Sequence, residues 1–77
     1  RLEELTDHLQ YGHAVIAYQK QNGDFKLVKA TLIYYEAEFH KKYDPTKIEG
    51  AVVYWNVDEQ RWTTFQVENF MEWRPIV

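Results

Sequence analysis

Residues 50–76 constrain the fold of this chain more than any other stretch. They contain all three Trp and two of the four Phe, in two runs rich in β-branched and aromatic residues at 51–57 and 61–67. Asp58-Glu59-Gln60 separates the runs and predicts a tight turn between two strands. A single helical turn is expected at 68–70. The stretch therefore predicts the closing half of a small β-barrel.

A last strand is expected at residues 71–76. Pro75 lies within it, and proline is tolerated in a sheet mainly on an edge strand, where its missing N–H faces no partner. This strand is therefore predicted to form an edge of the sheet.

The first residues predict a short amphipathic helix. Leu2, Leu5 and Leu9 fall on one stripe at helical spacing, and Gly12 is a natural end for the helix. A helix of this length is marginal by itself, so its leucine stripe must pack on the rest of the chain. Residues 1–12 are therefore expected to cover one end of the barrel.

The next segments predict a hairpin and a loop. Residues 13–20 and 25–34 are expected to pair across Asn22-Gly23, the strongest short signal for a type I′ turn. The second strand is apolar on both faces, which indicates a long, bent strand that passes between sheets, with its bend at Ala30-Thr31. Residues 36–50 carry turn chemistry and mixed charge and are expected to form a long loop.

Length and composition fit one small domain. With 77 residues, the chain is expected to form a single domain at 1–77, with a helix at 1–12 and a barrel at 13–77. The predicted fold class is mainly β: a small five-stranded SH3-like or Sm-like barrel with a short N-terminal α-helix. The sequence has no Cys, no bilayer-length apolar run and no signal-peptide core in its first ten residues, which favours a cytoplasmic protein.

Two segments of the closing half resemble a known family: Val53-Tyr54-Trp55-Asn56 and Arg61-Trp62-Thr63-Thr64-Phe65-Gln66-Val67-Glu68-Asn69. The family is a phage-encoded group of Sm-like SH3 β-barrels related to the WYL domain. Asn22-Gly23-Asp24 and Lys29-Ala30-Thr31 also match it, so the resemblance covers about residues 12–73. It implies a phage protein in the cytoplasm of an infected bacterial host, and the WYL relationship implies oligonucleotide binding. Thr63 stands where the family usually has Arg or Lys, which removes a positive charge from a candidate ligand-facing strand.

Enzyme chemistry is not expected. The sequence contains no Ser and no Cys, which leaves Thr and Tyr as hydroxyl nucleophiles. Glu36, Glu38 and His40 alternate, as metal ligands or an acid–base group on one face of an extended segment would. A solvated loop is favoured, because ligands on one mobile segment lack supporting contacts. We predict no catalytic residues, no metal site and no cofactor.

Basic residues interleaved with tyrosines form a candidate nucleic-acid or ligand-binding set: Lys20, Lys26, Lys29, Tyr34, Lys41 and Lys42. Lysines meet phosphates and tyrosines stack on bases in single-strand-binding barrels. The net charge of −3 and the neighbouring acidic residues oppose a polyanion, and lysines on a solvated edge also protect against aggregation. Binding of nucleic acid or a small nucleotide is the first alternative function.

The aromatic surplus gives the leading functional hypothesis. The aromatic residues of the closing half cannot all point inward, because adjacent strand residues face opposite sides. Alternation assigns Val53, Trp55, Phe65 and Val67 to the core. Four residues are then the expected contacts with a protein partner: Tyr54, Arg61, Trp62 and Arg74.

The sequence thus predicts a non-enzymatic phage accessory protein that binds a host protein and inhibits or redirects a defence or gene-expression factor. A second alternative is an assembly module that forms a homo-oligomer through the edge strand at 71–76. No membrane partner is expected.

Overall fold

The structure, a computed structural model, describes residues 2–77, so residue 1 of the predicted N-terminal helix lies outside the described residues. Its elements are helix α1 (Leu2–Leu9), strands β1 (His13–Gln19) and β2 (Phe25–Thr31), helix α2 (Tyr35–Phe39), strands β3 (Ala51–Asn56), β4 (Arg61–Gln66) and β5 (Phe70–Ile76), and 3-10 turns at Pro45–Lys47 and Val67–Asn69. The five antiparallel strands form one sheet in the order β4-β3-β2-β1-β5. The predicted mainly β class with a short N-terminal helix is confirmed, and β5 is an edge strand as predicted.

Helix α1 packs through its leucine stripe. Leu5 and Leu9 are fully buried, and Leu2 packs against the same core cluster. The backbone N–H of Leu32 donates to the carbonyl oxygen of Leu9 at 2.8 Å, and the Thr31 hydroxyl donates to the Gly12 carbonyl at 2.7 Å. These bonds satisfy carbonyl groups at and just beyond the end of α1 and join the helix to the end of β2. Among the residues that the structure describes, no helix has the length and hydropathy needed to cross a membrane.

The first hairpin is present, but its turn differs from the prediction. The Gly23 N–H donates to the Lys20 carbonyl at 2.9 Å, and only Gly23, at φ 93°, has positive φ in this turn. A type I′ turn requires positive φ at both central residues, so that prediction is wrong. The Asn22 side chain instead accepts a hydrogen bond from the Asp24 N–H at 3.0 Å, a local bond that competes with the two-residue turn.

Strand β2 is shorter than predicted, although its junction lies where the bend was expected. The strand ends at Thr31 and does not continue to Tyr34, because Thr31 and Leu32 bond to the end of α1. Ala30 and Thr31 pair with β1 on one side and β3 on the other, and they are the only two β2 residues paired with β3 in the described sheet. This short contact allows the β3–β4 hairpin to fold over the first hairpin.

Residues 36–50 are more ordered than a long loop. Helix α2 occupies their start and ends at Phe39, and the next residue, His40, caps it with a left-handed φ of 59°. Pro45–Lys47 forms a 3-10 turn. The Asp44 carboxylate caps that turn by accepting from the Thr46 N–H at 2.9 Å, and bonds from Thr46 hold the pKa of Asp44 below its usual value. The loop prediction was therefore wrong in its first four residues, 36–39, and at this turn.

The core lies between α1 and the two hairpins, and β3 faces it differently from the prediction. Val52 and Tyr54 are buried, while Val53 and Trp55 are only partly buried. Phe65 is buried as predicted, and Val67 is partly buried. Alternation shows which residues share a face, but both faces of β3 are apolar, so it does not show which face is inside. Val53 packs against the core cluster from its edge, whereas Trp55 does not, so the assignment of Trp55 to the core was wrong.

Candidate functional site

The outer face of the β3–β4 hairpin carries two partly buried tryptophans. Trp55 and Trp62 are directly opposite each other in the register, with ring centroids 5.4 Å apart and planes at 69°. Such a cross-strand aromatic pair stabilises a sheet while leaving its outer edges in solvent. The two tryptophans form the centre of the surface described next.

Four further rings extend this pair into a continuous surface, here called the aromatic face. The centroid distances are 5.8 Å for Tyr34–Trp55, 5.1 Å for Trp62–Phe39, 4.8 Å for Phe39–Tyr35 and 5.0 Å for Tyr35–Tyr43. The aromatic face thus consists of Tyr34, Tyr35, Phe39, Tyr43, Trp55 and Trp62. Most of these contacts are edge-to-face, the arrangement that the ring quadrupoles favour.

The aromatic face is anchored on one side and exposed on the other. Tyr35, Tyr43 and Trp62 pack against the core cluster. Burial raises the pKa of the Tyr43 hydroxyl, and the neighbouring Thr6 hydroxyl partly offsets this effect. Tyr34 is 51% exposed and Phe39 is 40% exposed. The anchored rings hold the exposed ones in place, so that a partner would meet a preformed surface.

A pocket of about 410 Å³ opens in the aromatic face, with a size in the range typical of ligand pockets. Its lining consists of Tyr34, Ala37, Glu38, Trp55, Gln60 and Trp62. Helix α2 supplies Ala37 and Glu38, and the turn after β3 supplies Gln60, whose N–H donates to the Asn56 carbonyl at 2.8 Å. The pocket therefore combines three aromatic walls with one carboxylate.

A second, polar pocket of about 510 Å³ lies between the first hairpin and β4. Lys20, Lys26 and Arg61 line it together with several amide side chains. Glu59 bridges two of the cations, with its carboxylate oxygens 3.4 Å from the Lys26 ammonium and 2.8 Å from the Arg61 guanidinium. These hydrogen bonds and charges hold the pKa of Glu59 below its usual value. An anion entering this pocket would compete with Glu59 for both cations.

The predicted ligand-binding lysines do not form one patch. Lys20 and Lys26 line the polar pocket, whereas Lys41 and Lys42 line a separate depression of about 480 Å³ beside Tyr43. Lys29 is exposed on β2, and its carbonyl accepts from the Val57 N–H at 2.9 Å. Tyr34 belongs to the aromatic face. The structure therefore divides this set among different surfaces.

The predicted partner-binding residues are also divided. Trp62 lies in the aromatic face, and Arg61 is exposed and paired with Glu59. Arg74 lines a separate depression of about 380 Å³ on strands β1, β2 and β5, with Val15, Leu27 and Trp73. Tyr54 is fully buried, and its hydroxyl is 2.8 Å from that of Tyr18. Burial and this hydrogen bond raise the pKa of Tyr54. The prediction of Tyr54 as a contact residue was therefore wrong, because its strand face is the inner one.

Sequence reasoning missed the part of the site that α2 supplies. Alternation along β3 predicts Trp55 in the core, and the sequence pattern gives Phe39 no role. The available signal was the spacing of Tyr35 and Phe39, which are four residues apart and therefore neighbours on a helix. Among residues 2–77, no group of three or more His, Asp or Glu side chains is arranged to hold a metal ion.

The five-stranded order and the covering helix fit a small SH3-like barrel, with the aromatic face on the outside of its second hairpin. A family model, WYL_2, Sm-like SH3 beta-barrel fold, matches residues 2–71. The chain belongs to this family, and the family part of the predicted resemblance is confirmed. Comparison with curated proteins and with solved structures gives no match.

Proposed function

We propose that this chain is a non-enzymatic, phage-encoded accessory protein that binds a host protein through its aromatic face. The observation that carries the proposal is the run of six contacting rings that remains partly exposed. Tyr and Trp dominate the energetics of protein interfaces because they bury large areas with few rotatable bonds. A host defence or gene-expression factor in the bacterial cytoplasm is the proposed partner.

The chemistry of the chain supports a binding role over catalysis. The sequence lacks Ser and Cys, and its net charge is −3. The hydroxyl of Tyr54 is buried against Tyr18, and burial favours its neutral form, so it is poorly placed to act as a nucleophile. Preformed aromatic surfaces of this kind bind by excluding water around a few anchor residues.

Affinity capture with matched variants tests the proposal. The tagged protein, Trp62→Ala and Phe25→Ala are each incubated with bacterial lysate, and captured proteins are identified and then purified for direct titration. Phe25 is the control because it is 62% exposed but lies at the hairpin end of β2, outside the aromatic face. We expect one partner to be retained by the parent and Phe25→Ala, and to bind Trp62→Ala at least about tenfold more weakly. Equal binding by all three would contradict the proposal.

Nucleotide or oligonucleotide binding remains the second candidate, supported by the convergence of Lys20, Lys26 and Arg61 in the polar pocket. A ligand that binds the native state must raise the unfolding temperature. Screening nucleotides and short oligonucleotides by thermal shift, with Lys26→Met as the control, separates this candidate from the first. A salt-sensitive rise that Lys26→Met abolishes would favour it.

Edge-strand assembly is a third candidate, because β4 and β5 are the two edges of the sheet. Sedimentation that shows a concentration-dependent homo-oligomer would favour it.

A further inference from the structure

The pocket in the aromatic face has walls that differ in direction. The Tyr34 and Trp55 planes meet at 76°, and the Trp55 and Trp62 planes meet at 69°. Three rings at steep angles to their neighbours border this open pocket in more than one direction, unlike a flat stacked pair. A bound group can therefore contact several rings at once.

The charge at this pocket is negative. Glu38 lines it, and no Lys, Arg or His does. Glu38 forms no salt bridge with any side chain in the part of the chain that the structure describes, in contrast to Glu59, which is paired twice. The faces of aromatic rings are also negative, because of their quadrupoles. The ring faces and the Glu38 carboxylate therefore both favour a positively charged ligand.

We propose that this pocket is an aromatic cage that takes a cationic side chain, arginine or lysine, from the partner protein. A cation placed against Trp or Tyr faces is attracted electrostatically, and the attraction grows as water is excluded. Glu38 completes the cage by supplying the opposite charge at its rim. The net charge of −3 favours approach of a basic partner surface. This inference rests on the proposed function, because it names the chemistry of the group that the aromatic face recognises.

Other ligand classes fit the pocket less well. An aliphatic side chain would contact the rings but would draw Glu38 away from water without a partner, which costs free energy. A phosphate or carboxylate would be repelled by both Glu38 and the ring faces. Arginine satisfies the site best, since its planar guanidinium stacks on rings and also pairs with a carboxylate.

Titration with blocked amino acids tests the cage without any knowledge of the partner. Isotope-labelled protein is titrated with the N-acetyl amides of arginine, lysine and norleucine, and the indole N–H signals of Trp55, Trp62 and Trp73 are followed by NMR. Norleucine keeps the aliphatic chain and lacks the charge. Trp73 is an internal control, because it lies on β5 and lines a separate depression on β1, β2 and β5.

We expect the arginine and lysine probes to shift the Trp55 and Trp62 signals and leave Trp73 unchanged. The norleucine probe should bind at least about fivefold more weakly, the fold-change that corresponds to one cation–π contact. Glu38→Gln is an isosteric change on the exposed side of α2. It should weaken the binding of the cationic probes and leave the binding of the norleucine probe unchanged.

The cage would be overturned if norleucine and the cationic probes bound equally well. It would also be overturned if Glu38→Gln did not change the binding of the cationic probes, or if no probe shifted the Trp55 and Trp62 signals. The proposed function fails separately. A partner captured through Trp62 by a protein that does not prefer cationic probes would retain the binding role and reject the cage. Selective binding of the cationic probes with no captured partner would support the cage and reject the proposed binding function.

Discussion

Two aromatic clusters lie on opposite sides of the same hairpin, and they use their rings differently. The inner cluster consists of Tyr18, Tyr54, Phe65 and Phe70, in which Tyr18 and Phe65 stack at 5.0 Å. The outer cluster is the aromatic face. Inside, three of the four rings are at most 5% exposed, and the tyrosine hydroxyls bond to each other. Outside, two of six rings are at least 40% exposed.

The difference shows how the β3–β4 hairpin contributes both to the core and to the aromatic face. Successive residues of β3 and β4 alternate between the two clusters, so Tyr54 faces inward while Trp55 faces outward. Polar groups in the inner cluster are satisfied within the chain, which is typical of a core. Polar groups on the aromatic face, above all Glu38, are available to a partner. We therefore expect inner substitutions to change stability and outer ones to change binding.

The largest expected effect is from Phe65→Ala. Phe65 is 2% exposed and contacts Tyr18, Tyr54 and Phe70, so its removal leaves a cavity at the centre of the inner cluster. The free energy of unfolding should fall by about 3–5 kcal/mol, measured by urea denaturation. In a chain this small, such a loss is expected to unfold much of the population. A loss below about 1 kcal/mol would show that the inner cluster is not the core.

The next effect concerns the buried hydroxyl pair. Tyr54→Phe removes one hydroxyl and leaves that of Tyr18 buried with no partner, which should cost about 1–3 kcal/mol. The double variant Tyr18→Phe with Tyr54→Phe removes both hydroxyls, and it should be more stable than the single variant. Additive losses in the double variant would mean that the two hydroxyls do not depend on each other.

The sequence predicts the fold well because its signals are local and agree. The leucine stripe of α1, the Asn22-Gly23 turn and the polar residues at 58–60 each mark a boundary that the structure retains within a few residues. Strand β2 was extended too far, since its end depends on bonds from Thr31 and Leu32 to α1, a contact between segments distant in sequence.

The candidate site was predicted less well, for a physical reason. Trp62 lies on the outer face, and its contact with a partner stays a prediction. Tyr54 and Trp55 were exchanged, because both faces of β3 carry apolar residues and alternation cannot choose between them. Helix α2 was missed because its five residues are too few for a periodic pattern. Its stability comes from packing of Tyr35 and Phe39 on Trp62, which only the folded chain brings together.

A smaller effect is expected for the stability of Trp62→Ala. Trp62 contacts Tyr35, Phe39 and Trp55, but all lie on the partly exposed side. The loss should be about 1–2 kcal/mol, near the low end for three partly exposed aromatic contacts, and the variant should remain folded by circular dichroism. This measurement shows whether Trp62→Ala loses partner binding because the aromatic face has changed or because the protein has unfolded. If Trp62→Ala lost as much stability as Phe65→Ala, the aromatic face would be as important for stability as the inner cluster.

The smallest effect is the response of the inner cluster to alkaline pH. Burial raises the pKa of Tyr54 above its unfolded value near 10, so the folded state holds the proton more tightly. Stability from this group is therefore fully present below pH 10 and is lost as the pH rises above it, because the unfolded chain then ionises first. Between pH 10 and 11 the loss should be about 1 kcal/mol for one such tyrosine.

Urea titrations at pH 9, 10 and 11 measure this loss, with the Tyr18→Phe, Tyr54→Phe double variant as the control. The double variant should lose less stability over that range, because it has no inner-cluster hydroxyl to ionise on unfolding. Tyr43, whose pKa is also raised, should leave some dependence of stability on pH in both proteins. Identical pH profiles would mean that Tyr54 ionises as readily in the folded chain as in the unfolded one, and hence that the inner cluster admits water as the aromatic face does.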